Sequence, residues 1–363
     1  MTGLSGRPVR DPIDALDACM PDESTGKMPV TPVSRSTRGS RIRRGVARAL
    51  VGMGLVALWP VVSGCRHAIL TFHRIREPGR RLDPFDSCPS LDCHAFRAIL
   101  EHAQGRFVIV PLAELVQRRS QSAPLAAITF DDGWRDNYDL ALPVLREMRL
   151  PATVFVTTGK IGASEPFWQQ VLGGRFREAA RDGGPAAGRL REALGLAEST
   201  ALDPRCYRAT VAAWKQLSHD ERDERLRRVA GGGSPEAAAP RCFLDEEEIR
   251  EMARCGITFG SHTQSHTILT RQPPEAVEAE LCESKRRLES ILGVAIDMLA
   301  YPNGDCSPQV IGAARRAGYR IACTTCRGRT GPGDDPLGLP RIEPPWETAG
   351  GSLDPSLLRW VMR

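Results

Sequence analysis

The sequence predicts an α/β protein whose strands run parallel, in a sheet that is either open or closed into a barrel. Short apolar runs rich in β-branched residues recur between residues 67 and 324. Between them lie segments with the 3.6-residue apolar spacing of amphipathic helices. Strands that alternate with helices in this way pair in parallel, each reaching the next over a crossover helix.

Taken in order, His67–Phe72 (HAILTF) reads as the first strand, followed by helical spacing from Leu91 to Gln104. Phe107–Val110 is a second strand, Leu112–Arg118 a helix and Leu125–Phe130 a strand apolar enough to be buried on both faces. Tyr138–Met148 places Leu140, Val144 and Leu145 on one helical face, and Ala152–Thr158 is the next strand. Residues from about 164 to 240 break the rhythm, with helical patches at Leu190–Leu196, Tyr207–Leu217 and Glu221–Val229 between Gly and Pro clusters. Asp245 with Glu248 three residues on is a capping pattern that opens a helix ending at Gly256. Ile257–Gly260 and Ile296–Tyr301 are strands flanking a long amphipathic helix, Pro274–Leu292, closed by Gly293. A helix at Val310–Ala317 and a strand at Tyr319–Thr324 complete the pattern.

A net charge of +5, spread along the chain, gives no electrostatic footprint for nucleic acid. Eleven cysteines in a chain too large to need disulfides lean towards reduced thiols. Cys323-Thr-Thr-Cys326 has no second pair to complete a zinc knuckle.

Two stretches carry chemistry. Leu125–Gly133 (LAAITFDDG) ends a buried strand in two adjacent carboxylates. Side chains leaving a strand in succession point in different directions, so Asp131 and Asp132 can do different jobs, one holding a metal and one facing a reacting water. Gly133 permits a sharp turn, although Asp-Gly after a strand is also ordinary turn chemistry. Gly260–Thr270 (GSHTQSHTILT) sets His262 and His266 four residues apart, on one side of a helical turn or of a tight loop of similar pitch. Two imidazoles and a carboxylate are a common set of ligands for a catalytic zinc that keeps a position open for water. The plainer reading is a surface histidine pair.

Together these residues resemble the polysaccharide deacetylases with a NodB homology domain, carbohydrate esterase family four. ITFDDG and GSHTQSHTILT carry the resemblance. TFHRI at Thr71–Ile75, PATVFVTTGKIG at Pro151–Gly162, LAYPNG at Leu299–Gly304 and LPRI at Leu339–Ile342 extend it over about residues 66 to 345, with a gap in the middle. It implies a distorted (β/α) barrel of about seven parallel strands, NodB-type, with a helical insertion. It also implies metal-dependent removal of N-acetyl groups from N-acetylglucosamine-type residues of a poly- or oligosaccharide. By the same resemblance Asp132, His262 and His266 are the expected ligands of a divalent metal, zinc before others, and Asp131 the general base. The backbone N–H of Asn303 is the expected oxyanion donor. His73, at the mouth of the site, is a candidate proton donor or equally a structural histidine. Trp134 and Tyr301 are expected to touch the glycan, and Phe167 and Trp168 either stack on sugar or anchor the insertion.

The sequence also departs from the family pattern. Many members carry an arginine and a tyrosine around the proline of LAYPNG, where Ala300 and Asn303 stand nearby instead, and no clear counterpart of the Asp–Trp motif that supports the base is evident. LPRI offers Arg341 where a histidine is usual. A non-catalytic or weakly active glycan-binding protein on the same fold is therefore the alternative of a different class.

Residues 1–45 read as a disordered basic extension. Residues 46–64 form an apolar segment after an arginine cluster, with three readings. It is a signal sequence whose Val62–Cys65 resembles a lipoprotein cleavage box, or an anchor that associates the chain with a membrane, or a helix packed on the barrel. Residues 65–363 are then the deacetylase domain, with the insertion at about 164–240 placed over the substrate groove.

Overall fold

The computed structural model describes residues 66–230 and 241–344. The expectations for residues 1–45, for 46–64 and for Cys65 lie outside the described residues. The chain divides into two compact units. Among the described residues the smaller comprises Pro84–Ser87 and 167–230, and the larger holds Cys88–Pro166 with those before Pro84 and after 240.

In chain order the elements are β1 (Ala68–Phe72), β2 (Arg74–Arg76), β3 (Ser90–Asp92), α1 (Cys93–Gln104), β4 (Val108–Ile109), α2 (Leu112–Arg118), β5 (Leu125–Phe130), α3 (Leu142–Met148) and β6 (Thr153–Val156). Four helices of the smaller unit follow: α4 (Trp168–Asp182), α5 (Gly184–Leu194), α6 (Pro204–Trp214) and α7 (His219–Ala230). The larger unit resumes with α8 (Glu246–Arg254), β7 (Thr258–Ser261), α9 (Pro274–Leu292), β8 (Met298–Ala300), α10 (Pro308–Arg316), β9 (Ile321–Arg327) and β10 (Leu339–Arg341).

Seven strands pair in parallel in the order β1-β5-β6-β7-β8-β9-β10, and β4 joins the start of β5 on the edge that β6 uses further along. The ring nearly closes. Ile342, just past β10, bridges Leu70 of β1, with its N–H donating to Ile69 at 2.8 Å and its carbonyl accepting from Thr71 at 3.0 Å. The sheet is therefore the expected distorted barrel, not an open one.

Alternation along each strand sorts side chains into two layers. Ile69, Ala127, Phe155, Met298, Ala300, Ile321, Cys323 and Leu339 fill the barrel interior. Leu70, Phe72, Ile128, Phe130, Val154, Val156 and Leu299 face outward and pack under the helices. Gly260 is required on the inner side of β7, because a Cβ there would stand 2.6 Å from the Phe155 ring.

The helices begin and end where their sequences direct. α8 opens with a complete capping box between Asp245 and Glu248, and α9 starts with Pro274 in its first turn and stops at Gly293 in the left-handed conformation. The helix expected from Tyr138 opens instead with a π-helical turn, Asn137–Ala141. Pro143 has no N–H to give Asp139, and the wider turn absorbs that missing bond. Two features were not anticipated: the parallel pair of β2 with β3, and the short strand β10 inside LPRI.

In the smaller unit, Leu172, Phe176, Tyr207, Val211 and Trp214 form a core around Phe85. Trp168 stacks on Trp214 with ring centroids 5.9 Å apart, and the Arg222 guanidinium lies 5.5 Å from the Trp168 ring centroid.

In the larger unit Phe72, Phe96 and Phe130 pack with ring centroids 5.0 to 5.6 Å apart, tying β1 and β5 to α1 just below the Asp131 turn. Phe96 is fully buried. Phe96→Ala is expected to lower unfolding free energy by about 3–5 kcal/mol, read from the urea midpoint at unchanged slope.

Candidate active site

β5 directs Leu125, Ala127 and Thr129 into the barrel, and the alternation continues to Asp131. Leu339 and Arg341 of β10 point inward by the same rule, and in the sheet only β1 lies between these strands. The result is a buried, two-pronged ion pair. Arg341 Nη1 donates to Asp131 Oδ1 at 2.7 Å and Nη2 to Oδ2 at 2.6 Å, while Nε donates to the Thr324 carbonyl at 2.9 Å. Both residues are 2 % exposed. Burial pushes the Asp131 carboxyl up, but the Arg341 charge, then that of His262, outweighs it and leaves the pKa below the ordinary carboxylate value. His73 follows β1, and its Nε2 lies 3.9 Å from Asp131 Oδ2. Its Nδ1 is buried and has no hydrogen-bond partner. Asn137 pins the His73 carbonyl with its side-chain amide at 2.8 Å.

Asp132 adopts φ +76°, and Gly133 follows at +79°. A left-handed aspartate costs on the order of 1 kcal/mol or more, so other bonds must hold it. Its carbonyl accepts from Thr157 N–H at 3.3 Å, and the Gly133 carbonyl accepts from Leu244 N–H at 3.0 Å. The Trp134 indole N–H donates to Asp132 Oδ2 at 2.8 Å.

His262 leaves the end of β7, and its Nδ1–H donates to the Ala300 carbonyl at 2.8 Å. Since a carbonyl only accepts, that bond places the proton on Nδ1 and turns Nε2 towards Asp132. The histidine pair sits on a tight loop. Thr263 and His266 are left-handed, at φ +64° and +60°. The Ser261 hydroxyl accepts from Thr263 N–H at 3.0 Å, and Glu280 of α9 accepts the N–H groups of Gln264 and Ser265 at 2.8 and 2.9 Å.

Three donor atoms, one each from Asp132, His262 and His266, converge within 4.8 Å of one another. Asp132 Oδ1 lies 3.2 Å from His266 Nε2 and 3.5 Å from His262 Nε2, is buried, and accepts no hydrogen bond. Burial lowers the basicity of His262, but the Asp132 carboxylate beside it, with Asp131, raises its pKa overall. Three ligand atoms around a common point, with an orphaned carboxylate oxygen between two imidazole nitrogens, suit a divalent cation.

The other expected residues are Asn303, Tyr301, Trp134, Phe167 and Trp168. Asn303 follows β8 at φ +59°, its carbonyl accepting from the Thr325 hydroxyl at 3.0 Å and its side-chain amide donating to Asp305 at 2.9 Å. Gly304 is fixed beside it, because a Cβ would stand 2.0 Å from the Thr325 hydroxyl oxygen. Tyr301, expected to touch the glycan, is instead fully buried and donates its hydroxyl to the Leu337 carbonyl at 3.0 Å. Trp134 is also buried, under Phe243. These two rings have no surface to offer a sugar. Phe167 is buried and Trp168 packs on Trp214, both within the smaller unit. Arg341 was visible in LPRI, but its partner was not.

The fold and this cluster define a parallel α/β barrel with its acid and imidazole groups at the carboxyl ends of the strands, where barrels keep their chemistry. The chain belongs to the polysaccharide deacetylase family, whose model matches residues 118–322. It is similar to the Bacillus subtilis (strain 168) protein YxkH, with 23% identity over 211 residues, covering 58% of this chain and 48% of that protein. The chain thus spans about half the length of that curated relative. Among solved structures it resembles the Streptococcus pyogenes deacetylase PplD (TM-score 0.52, 18% identity, covering 82% of this chain and 97% of the other). It also resembles a de-N-acetylase from Aggregatibacter actinomycetemcomitans (TM-score 0.50, 11% identity, covering 81% and 99%). At these identities the two structures speak to the fold alone.

Removing Arg341 leaves Asp131 buried without its counter-ion. Arg341→Met is expected to cost roughly 3–5 kcal/mol in chemical unfolding. Adding Asp131→Asn to that variant is expected to recover most of the loss, giving a large coupling in the double-mutant cycle.

Proposed function

We propose that this chain is a metal-dependent hydrolase that removes N-acetyl groups from N-acetylglucosamine-type residues of a poly- or oligosaccharide. The observation that carries the reading is the convergence of Asp132 Oδ1 with two imidazole Nε2 atoms, next to a second carboxylate held by a buried arginine. Asp132, His262 and His266 would hold the divalent ion, and their one carboxylate and two imidazoles fit zinc. When bound, such an ion polarises an acetamide carbonyl and lowers the pKa of water into the neutral range.

The remaining roles fall to the protein. Asp131 takes the proton of the attacking water on a carboxylate oxygen. Arg341 keeps that carboxylate ionised and fixes its plane, since both oxygens already receive a guanidinium N–H. His73, whose Nε2 lies 3.9 Å from Asp131 Oδ2, would pass a proton to the departing amine. The Asn303 N–H, on the turn after β8, is the proposed oxyanion donor. Water adds to the acetamide carbon, the C–N bond breaks, and acetate and the free amine leave.

Arg341 also answers the departures of the sequence from the family pattern. An arginine from the last strand stands beside the base, so the missing arginine near the proline of LAYPNG does not leave Asp131 unsupported. That pairing favours turnover over the alternative of a glycan-binding protein without chemistry.

The test is acetate release from N-acetylglucosamine oligomers by the metal-loaded chain. Release is expected to stop on chelation and to fall on the order of 10²- to 10⁴-fold in Asp131→Asn. In His262→Ala, bound metal measured by mass spectrometry is expected to drop sharply. Glycan binding without acetate release, unchanged by chelator, would contradict the reading.

A further inference from the structure

The Asp132 carboxylate has two oxygens, and the turn treats them differently. Oδ1 faces the two imidazoles and accepts no hydrogen bond. Oδ2 accepts the Trp134 indole N–H at 2.8 Å, and the Cys88 sulfur stands 4.0 Å from the same oxygen. The indole is itself clamped. Phe243 stacks on it with centroids 4.5 Å apart and planes 21° from parallel, and the Arg74 guanidinium lies 4.6 Å from its ring centroid. Asp136 holds Arg74 by its Nε at 2.9 Å. The backbone is tied as well, since Trp134 and Phe243 form an antiparallel bridge and Arg135 N–H donates to the Cys242 carbonyl at 2.9 Å.

A carboxylate can meet a cation through one oxygen or through both. Two-oxygen binding fills a coordination position that a catalytic site keeps for water and substrate. We propose that Trp134 is a positioning residue for the ion held by Asp132, His262 and His266: its N–H occupies Oδ2, so that Asp132 presents Oδ1 alone. The inference rests on the metal reading given above and deepens it. It also assigns Trp134 a place in the site other than the expected contact with sugar. A lost hydrogen bond to a ligating group commonly weakens metal binding without disturbing the fold.

The experiment compares the full chain as wild type, Trp134→Phe and His262→Ala, each stripped and then titrated with zinc against a chromophoric chelator. Phenylalanine keeps an aromatic ring against Phe243 but removes the donor together with the second ring of the indole. Zinc binding by Trp134→Phe is expected to weaken roughly 10- to 100-fold, in metal-stripped protein that still unfolds cooperatively although at a lower melting temperature. With cobalt(II) in place of zinc, its visible absorption band is expected to weaken as a second oxygen enters the coordination shell. Wild-type affinity in Trp134→Phe, or an unchanged cobalt band, overturns the positioning role and leaves the metal site standing, provided His262→Ala has lost binding. A wild-type chain that binds no stoichiometric zinc overturns the site and the inference together. If Trp134→Phe does not fold, β-(3-benzothienyl)-L-alanine at position 134 keeps the bicyclic ring, lacks the N–H, and decides the question by the same titration.

Discussion

A buried carboxylate oxygen set between two imidazole nitrogens, with no hydrogen bond of its own, is the constraint on which this molecule turns. Such an oxygen is costly without a positive charge beside it. The chain nevertheless spends structure on keeping it there. A left-handed aspartate, two left-handed residues in the histidine loop and a carbonyl that fixes the His262 tautomer all aim donor atoms at one point. They fit the divalent ion proposed for that point.

Around that point the barrel separates two carboxylates that are neighbours in sequence. Asp131 continues the inward alternation of β5 and meets Arg341, whereas Asp132 turns out of the strand towards β7. Their environments follow from this geometry. Asp131 is paired with a guanidinium, which favours its ionised form. Asp132 has one oxygen engaged by an indole and the other directed at the imidazoles. Two adjacent residues thereby receive different chemistry from the pleat of a single strand.

Much of the barrel was legible because its strands are apolar on both faces and its helices carry ordinary caps. Leu125–Phe130 and the Asp245–Glu248 box needed no tertiary context. β10 was not legible as a strand, since three residues around Pro340 carry no period. The Asp131–Arg341 pair spans 210 positions, and only closure of the barrel brings it together. The histidine spacing suited a helical turn or a tight loop, and the loop was decided by Glu280, a residue on another element. Trp134 and Tyr301 misled because an aromatic beside a motif looks like a ligand contact, and nothing local shows that its ring is already covered.

The central claim is that one divalent cation sits between Asp132, His262 and His266. Crystals of the zinc-loaded chain, measured on either side of the zinc absorption edge, test it directly. The account predicts a single anomalous peak within bonding distance of Asp132 Oδ1 and both Nε2 atoms, about 2.0–2.2 Å from each. Density that is empty at that point, or a peak held by other residues, would contradict it.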